Sequence, residues 1–424
     1  MAEARPRRLP LAPHAAPARR HLPLASEVRA SDRVRPIYAV WEITLACDLS
    51  CRHCGSRAGH ARPDELSTAE CLDLVRQMAA LGVREVTLIG GEAYLREDWL
   101  EIVAEIVRAG MVPTMTTGGR GIDAARALSA KQAGLQSVGV SLDGLESTHD
   151  RLRGVRGSHA HALAAMGHLA AVSVPVSVNS QINRLSMPEL PALLELIASR
   201  GAHSWQIQLT VPMGRAADEP EVLLQPYELL ELFPMLAALA SRCQELGVRL
   251  FPGNNIGYFG PHEAVLRRYM PDAHGGSCGA GLLTLGIEAD GTIKGCPSLP
   301  TQSWGGGNLR DNSLLEIWER AAPLRYTRDR TVEDLWGYCR SCYYADACRA
   351  GCTWTSDVFF GRPGNNPYCH HRALELARAG KRERLVQVAL PPGAPFDHGR
   401  FETIVEDLNV VEGRNAPHDT LENV

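Results

Sequence analysis

Cys47, Cys51 and Cys54 fall inside one eight-residue run, Cys47-Asp48-Leu49-Ser50-Cys51-Arg52-His53-Cys54. A loop with that spacing can wrap three thiolates around a single inorganic centre. Thiolate is the ligand of iron–sulfur clusters, and a cubane has four irons, so three protein sulfurs leave one iron open to another ligand. Two plainer readings compete for the same residues. Twelve cysteines could form disulfides in an exported protein, or closely spaced thiols could hold structural zinc. No secretory signal supports the first. Zinc would need a fourth ligand, and His53, caught between two ligands on a tight loop, is badly placed to supply it.

A second array follows Gly276: Cys278, Cys296, Cys339, Cys342, Cys348, Cys352 and Cys369. Between the first two, Gly286 to Lys294 reads as a hairpin turning on Asp290-Gly291. Taken alone, Cys339 to Cys352 looks like a zinc ribbon. Cys71 and Cys243 differ from the rest because each sits on an apolar stripe at helical spacing, which makes them core thiols.

The elements that must position these residues follow from periodicity. An extended run, Ile37 to Ile43, leads into the first cysteine loop. Ser67-Thr68-Ala69-Glu70 is a capping box opening a helix that Gly82 closes. Strands are expected near 83–89, 112–116, 137–142, 174–181 and 204–209, alternating with helices near 98–109, 122–133, 158–172 and 187–199. Repeated βα units imply a parallel sheet with right-handed crossovers. Six strands are too few for a closed eight-stranded barrel, so the fold class is α/β, a partial (β/α)6 TIM-like barrel. Ligands gather at the C-terminal ends of such strands, and there lie the cysteine loop, Gly90-Gly91-Glu92, Thr116-Thr117-Gly118-Gly119 and Ser141-Leu142-Asp143-Gly144.

The expected units are an N-terminal arm at 1–35, the barrel at 36–212, a helical linker at 213–277, a cysteine-rich domain at 278–372 and a C-terminal helix and tail at 373–424. The linker's helix, from about Pro226 to Leu246, buries the stripe that carries Cys243. A net charge of −4 gives no reason to expect a nucleic-acid partner. No apolar run looks long enough to span a bilayer, so no membrane partner is expected. Many cysteines without an export signal point to a reducing cytoplasm.

The pattern of residues 37–212 resembles the radical S-adenosylmethionine (SAM) enzymes. There the open iron is chelated by the methionine moiety of SAM, and the reduced cluster cleaves the cofactor to a 5'-deoxyadenosyl radical that abstracts hydrogen. The resemblance implies that Gly90, Gly91 and Glu92 hold the cofactor's amino group, that Ser141 and Asp143 contact its ribose, that Asn179 adds a polar contact, and that Arg153 pairs with its carboxylate. Thr117 stands where relatives often carry Asn, and its contact is left open. Residues 278–372, with Asn308 to Trp318 between the two halves of the array, resemble the SPASM extension of enzymes that mature peptides. That implies two auxiliary 4Fe-4S clusters, three clusters in all. Cys339, Cys342, Cys348 and Cys369 would hold one, and Cys278, Cys296 and Cys352 the other, whose fourth site is open or filled by His274 or another group.

The function implied is oxidoreductase-type maturation of a ribosomally synthesised precursor peptide, forming a thioether, a C–C or C–heteroatom crosslink, or a dehydrogenated residue. An electron donor such as flavodoxin or ferredoxin would be the second partner. The alternatives are action on a sulfatase or on a tetrapyrrole or quinone precursor, and a non-catalytic metal-binding module that recognises peptides. No general base can be named from the sequence.

Overall fold

The computed structural model describes residues 34–270 and 277–408. The expected N-terminal arm lies almost wholly outside these residues, as do His274 and the tail beyond 408.

Six βα units form as the periodicity requires. The strands are β1 (Tyr38–Glu42), β2 (Glu85–Ile89), β3 (Val112–Thr117), β4 (Ser137–Ser141), β5 (Val176–Ile182) and β6 (Ser204–Leu209). Between them run helices α1 (Thr68–Leu81), α2 (Trp99–Arg108), α3 (Ala124–Ala133), α4 (Glu146–Arg153), α5 (Ser158–Ala171) and α6 (Leu190–Ser199). The capping box holds: the Ser67 side chain accepts from the Glu70 amide and Glu70 answers the Ser67 amide, while Gly82 ends α1 in the left-handed region. Helix α4 was not expected, because Glu146 to Arg153 is almost wholly polar and only Leu152 gives it an apolar anchor.

The sheet is larger than six strands. Its order is β10-β9-β8-β1-β2-β3-β4-β5-β6-β7. Strand β7 (Arg249–Pro252) pairs in parallel with β6, so residues 213–277 are more than the expected helical linker. On the other edge β8 (Thr284–Ile287) pairs in parallel with β1 and turns back through Asp290-Gly291 into β9 (Thr292–Lys294), which meets β10 (Gly307–Asn308). The cysteine-rich region is thus stitched into the barrel sheet. An unpaired edge on β1 would leave a row of backbone donors and acceptors open, and the hairpin satisfies them.

Helix α7 (Leu229–Glu245) buries Leu229, Leu232, Phe233, Leu236, Leu239, Ala240 and Cys243. With the turns before it, Pro220–Glu245 is apolar and long enough to cross a bilayer, contrary to the sequence expectation, but half of its most apolar stretch is buried in the core. The longer helices that follow are α8 (Leu314–Arg320), α9 (Ala322–Asp329), α10 (Thr353–Phe360) and α11 (His370–Arg378). The described part of the C-terminal tail is an antiparallel hairpin, β11 (Lys381–Ala389) and β12 (Arg400–Asp407).

The two faces of the barrel sheet differ. Ala39, Trp41, Val86, Leu88, Met115, Val138, Val140, Val176 and Val178 join the apolar core with the helices. The opposite face carries hydroxyls and amides: Tyr38, Thr87 and Thr114 are joined Oη to Oγ1 to Oγ1 at 2.8 and 2.6 Å. Asn179 reaches Thr116 at 3.5 Å, and Ser177 and Gln181 are only half-buried on the same strand as Asn179. A parallel strand covered on both faces reads as a continuous apolar run. Alternation such as Val176-Ser177-Val178-Asn179-Ser180-Gln181-Ile182 signals an inner face left open.

Candidate active site and cluster-binding cysteines

All twelve cysteines are free thiols, which removes the disulfide reading. Cys71 and Cys243 are core residues, each 1% exposed. The loop carrying Cys47, Cys51 and Cys54 follows β1 and gathers their sulfurs as electrostatic neighbours. Amides point at two of them: Leu49 N donates to Cys47 Sγ and Ala58 N to Cys54 Sγ, both at 3.4 Å. Burial pushes the bare thiol of Cys47 up to about 12 and that of Cys51 to about 11. At neutral pH they keep their protons unless a metal displaces them.

Gly90 and Gly91 cross this loop at van der Waals limit. A Cβ on Gly90 would lie 2.4 Å from the Thr44 carbonyl oxygen, and one on Gly91 2.0 Å from that of Ala46. The approach is closed by hydrogen bonds from Gly91 N to Thr44 O at 2.9 Å and from Glu92 N to Ala46 O at 2.7 Å. Only glycine permits two backbones to come this near. The Glu92 carboxylate is buried and accepts from Thr117 Oγ1 and from Gly118 N. Burial, only partly offset by these two donors, raises its pKa to about 7. Thr117, whose role the sequence left open, thus holds Glu92 in place.

At the end of β4, Ser141 is largely buried and pairs in register with Asn179 on β5. Asp143 is fully buried: one oxygen accepts from Gln181 N at 2.9 Å, the other lies 2.7 Å from Arg153 Nη2 and 3.3 Å from His53 Nε2. Burial alone would favour the neutral acid, but Arg153 first and then His53 outweigh it and hold the group well below the usual carboxylate range. Arg153 also directs Nη1 to Cys51 Sγ at 3.7 Å. The resemblance implies separate partners for Asp143 and Arg153, whereas in the structure they pair with each other beside the cysteine loop. His53 faces Asp143, in keeping with its exclusion as a ligand.

Two anchors of the loop were not legible in the sequence. Arg215 donates Nη1 to Cys51 O at 2.9 Å and also reaches Ala58 O, while its own amide bonds Cys54 O at 3.0 Å. The segment 390–399 between β11 and β12 lies across the same loop. Phe396 N donates to Gly55 O at 3.1 Å, Asp397 O accepts from Gly214 N at 2.8 Å, and Arg57 Nε reaches Asp397 Oδ1 at 2.8 Å. Neither signal exists locally, since both contacts join residues more than 150 positions apart.

The seven later cysteines fall into two groups. Cys296 feels Cys278 and Cys352 as neighbours, and Cys352 feels Cys278. Cys369 feels Cys348, Cys339 and Cys342. Amides of Ala280, Tyr344 and Asn366 donate to Cys278, Cys342 and Cys339 Sγ, each at 3.4 Å. Among the described residues no three His, Cys, Asp or Glu side chains are drawn in tightly enough to hold a single metal ion.

The sequence profile of the Radical SAM superfamily matches residues 41–192, and that of the SPASM iron-sulfur cluster-binding domain matches 278–343. The mycofactocin maturase MftC of Mycobacterium ulcerans is 31% identical over 342 residues, covering 79% of this chain and 88% of that protein. The chain belongs to the radical SAM superfamily. It is a radical SAM enzyme with a C-terminal SPASM domain. An AdoMet-dependent heme synthase of Methanosarcina barkeri is 28% identical over 80% of this chain and 97% of its own length. Among solved structures, Streptococcus suis SuiB bound to S-adenosylmethionine superposes with a TM-score of 0.59 at 16% identity, covering 76% of this chain and 74% of that one. The enzyme anSMEcpe with AdoMet and the Cp18Cys peptide gives 0.64 at 15% identity, covering 80% and 95%.

The residues present fit the groups that a radical SAM/SPASM enzyme carries, 4Fe-4S clusters and SAM. The donor set is thiolate-only, amides are directed at the sulfurs, and the double glycine forms a cradle that any Cβ would fill. Such amide-to-sulfur bonds stabilise the anionic ligands of a cluster.

Proposed function

We propose that this radical SAM enzyme modifies a ribosomally made precursor peptide by hydrogen abstraction. The observation that carries the reading is the run of neutral polar side chains on the inner face of β3, β5 and β6. Thr114, Thr116, Ser177, Asn179 and Gln181 line it with half-buried hydroxyls and amides, and Gln206 and Gln208 extend it on β6. Neutral groups of this kind match the alternating donors and acceptors of an extended peptide. SuiB, whose fold this chain shares, has been crystallised bound to the precursor peptide SuiA.

Cys47, Cys51 and Cys54 would hold the cluster whose open iron takes SAM, and SAM, when bound there, supplies a 5'-deoxyadenosyl radical. The carbonyls of Gly90 and Gly91 would meet the cofactor's amino group, and Ser141 and Asn179 its ribose. Arg153, already steadied by Asp143, would meet the carboxylate. The remaining seven cysteines would hold two auxiliary clusters, Cys278, Cys296 and Cys352 one of them and the other four the second, giving three in all. A cytoplasmic flavodoxin or ferredoxin is the electron donor this reading requires.

A second reading draws on the heme synthases, which align over most of the chain. Tetrapyrrole precursors carry several carboxylates, which call for cationic partners. On the inner face of β3, β5 and β6 the polar residues named above are neutral. The test is anaerobic reconstitution with iron and sulfide, SAM and reductant, followed by co-expression with a candidate short peptide encoded beside the gene. The expected result is 5'-deoxyadenosine together with a peptide lighter by two hydrogens. Turnover of a carboxylated tetrapyrrole, with every candidate peptide left unchanged, would overturn the peptide reading.

A further inference from the structure

Between the two groups of SPASM cysteines stands a residue that belongs to neither. Tyr258 is 3% exposed and lies on a tight turn, Gly257-Tyr258-Phe259-Gly260. The backbone there is strained: φ is +119° at Gly257, +81° at Tyr258 and +58° at Phe259. Two successive residues with side chains in the left-handed region cost free energy, and surrounding structure must hold them there. The Tyr258 amide donates to Glu263 Oε2 at 3.1 Å. Arg267 braces the turn by bonding the carbonyls of Pro252 and Gly253, at 2.9 and 2.8 Å, and that of Ile256.

What this strain achieves is a double contact. The Tyr258 hydroxyl donates to Asn254 O and accepts from the amide of Cys352 at 2.9 Å. Its carbonyl accepts from Cys369 Sγ at 3.9 Å. One residue therefore touches a member of each cysteine group, holding Cys352 through its amide. Its ring occupies the space where a side chain at position 351 would be, since a Cβ on Gly351 would lie 2.3 Å from Tyr258 Cε1.

Building on the assignment of these cysteines to two auxiliary clusters, we propose that Tyr258 is a positioning residue at Cys352, with its phenol setting the reduction potential of the Cys278/Cys296/Cys352 cluster. The physical reason is the fate of one N–H. Hydrogen bonds to cluster sulfurs help set the potential, and the Cys352 amide is engaged by the phenol. Without that acceptor the amide turns toward sulfur, and the cluster becomes easier to reduce. The approach to Cys369 is made by a backbone carbonyl, which any side chain keeps, and a Cys369 thiolate bound to iron would have no proton to donate to it.

The experiment is an EPR-monitored redox titration of the full-length, anaerobically reconstituted protein, comparing wild type with Tyr258→Phe, alongside iron and sulfide counts. The expected result is an upward shift in the midpoint of the three-cysteine cluster, with the four-cysteine cluster and the SAM-binding cluster unmoved. Gly351→Ala, whose Cβ would meet the ring at Cε1 and at the carbon bearing the hydroxyl and so push the phenol off the Cys352 amide, should shift the same cluster upward. Selective loss of that one cluster in either variant would equally support the assignment. An unchanged midpoint, a downward shift, or the same shift in both auxiliary clusters would overturn it. A wild-type protein without two auxiliary signals would instead refute the cysteine assignment itself.

Discussion

At position 91 the choice of amino acid is set by a single oxygen. The Ala46 carbonyl stands where a β-carbon would go, so Gly91→Ala must force the cysteine loop and the Gly-Gly-Glu strap apart. Overpacking against backbone has no flexible side chain to absorb it, and a loss of about 3 kcal/mol is expected. Thermal unfolding together with the iron content after reconstitution would measure it, both falling. Thr117→Val tests a subtler residue, because it removes one of two donors to the buried Glu92 carboxylate. The cost of an unsatisfied buried acceptor is about 1–3 kcal/mol. The accompanying readout is weaker SAM binding in an equilibrium titration. Asp143 and Arg153 carry the same lesson: the motif names them, but their mutual pairing appears only when β4 and α4 are folded together.

Among the elements, the hairpin of β11 and β12 repays most attention. Its connecting segment, with Pro391, Pro392 and Pro395, reads in sequence as either a strap or a loose end. In the structure Asp397 joins that segment to Arg57 and Gly214 on either side of the cysteine loop and caps the amide of Ala394 at 3.0 Å. Asp397→Ala should therefore loosen the strap while leaving the barrel intact. The expected outcome is faster loss of iron to a chelator under anaerobic conditions, at nearly unchanged far-UV circular dichroism. Equal rates for variant and wild type would show that the strap does not guard the loop.

For the molecule as a whole, the barrel and the SPASM region meet through buried charge. Arg62 Nη2 lies 3.3 Å from Glu42 and 2.8 Å from Glu288, and Lys294 Nζ lies 2.7 Å from Glu288 and 3.7 Å from the centre of the Phe396 ring. Lys294 is fully buried, so Lys294→Met removes one partner and leaves carboxylate charge behind. A loss of about 3–5 kcal/mol is expected, read from chemical denaturation. The network also responds to pH. Burial first of all, opposed in part by Arg62, pushes the Glu42 carboxyl up from 4.5 to about 8. In that window the folded chain keeps a proton that the unfolded chain releases, so stability falls as pH rises from about 4.5 to about 8. Glu42→Gln cannot release a proton, and its melting temperature should decline less steeply than wild type across that range. Parallel slopes would disprove the assignment.

The sequence by itself determined the chemistry and the local elements. Cysteine spacing, the capping box at Ser67, the Asp290-Gly291 turn and the six βα repeats are short-range features, dictated by ligand reach, backbone conformation and periodicity within a few residues. Tertiary structure decided what depends on distant segments meeting. Strand β7 is only four residues long and leaves no periodic trace, the hairpin on the free edge of β1 answers an unpaired ladder some 250 positions earlier, and Tyr258 acquires its place only when Cys352 and Cys369 fold against it. Long-range contacts of this kind are fixed by the geometry of packing and by the need to satisfy buried polar groups, and neither is written in the spacing of residues along the chain.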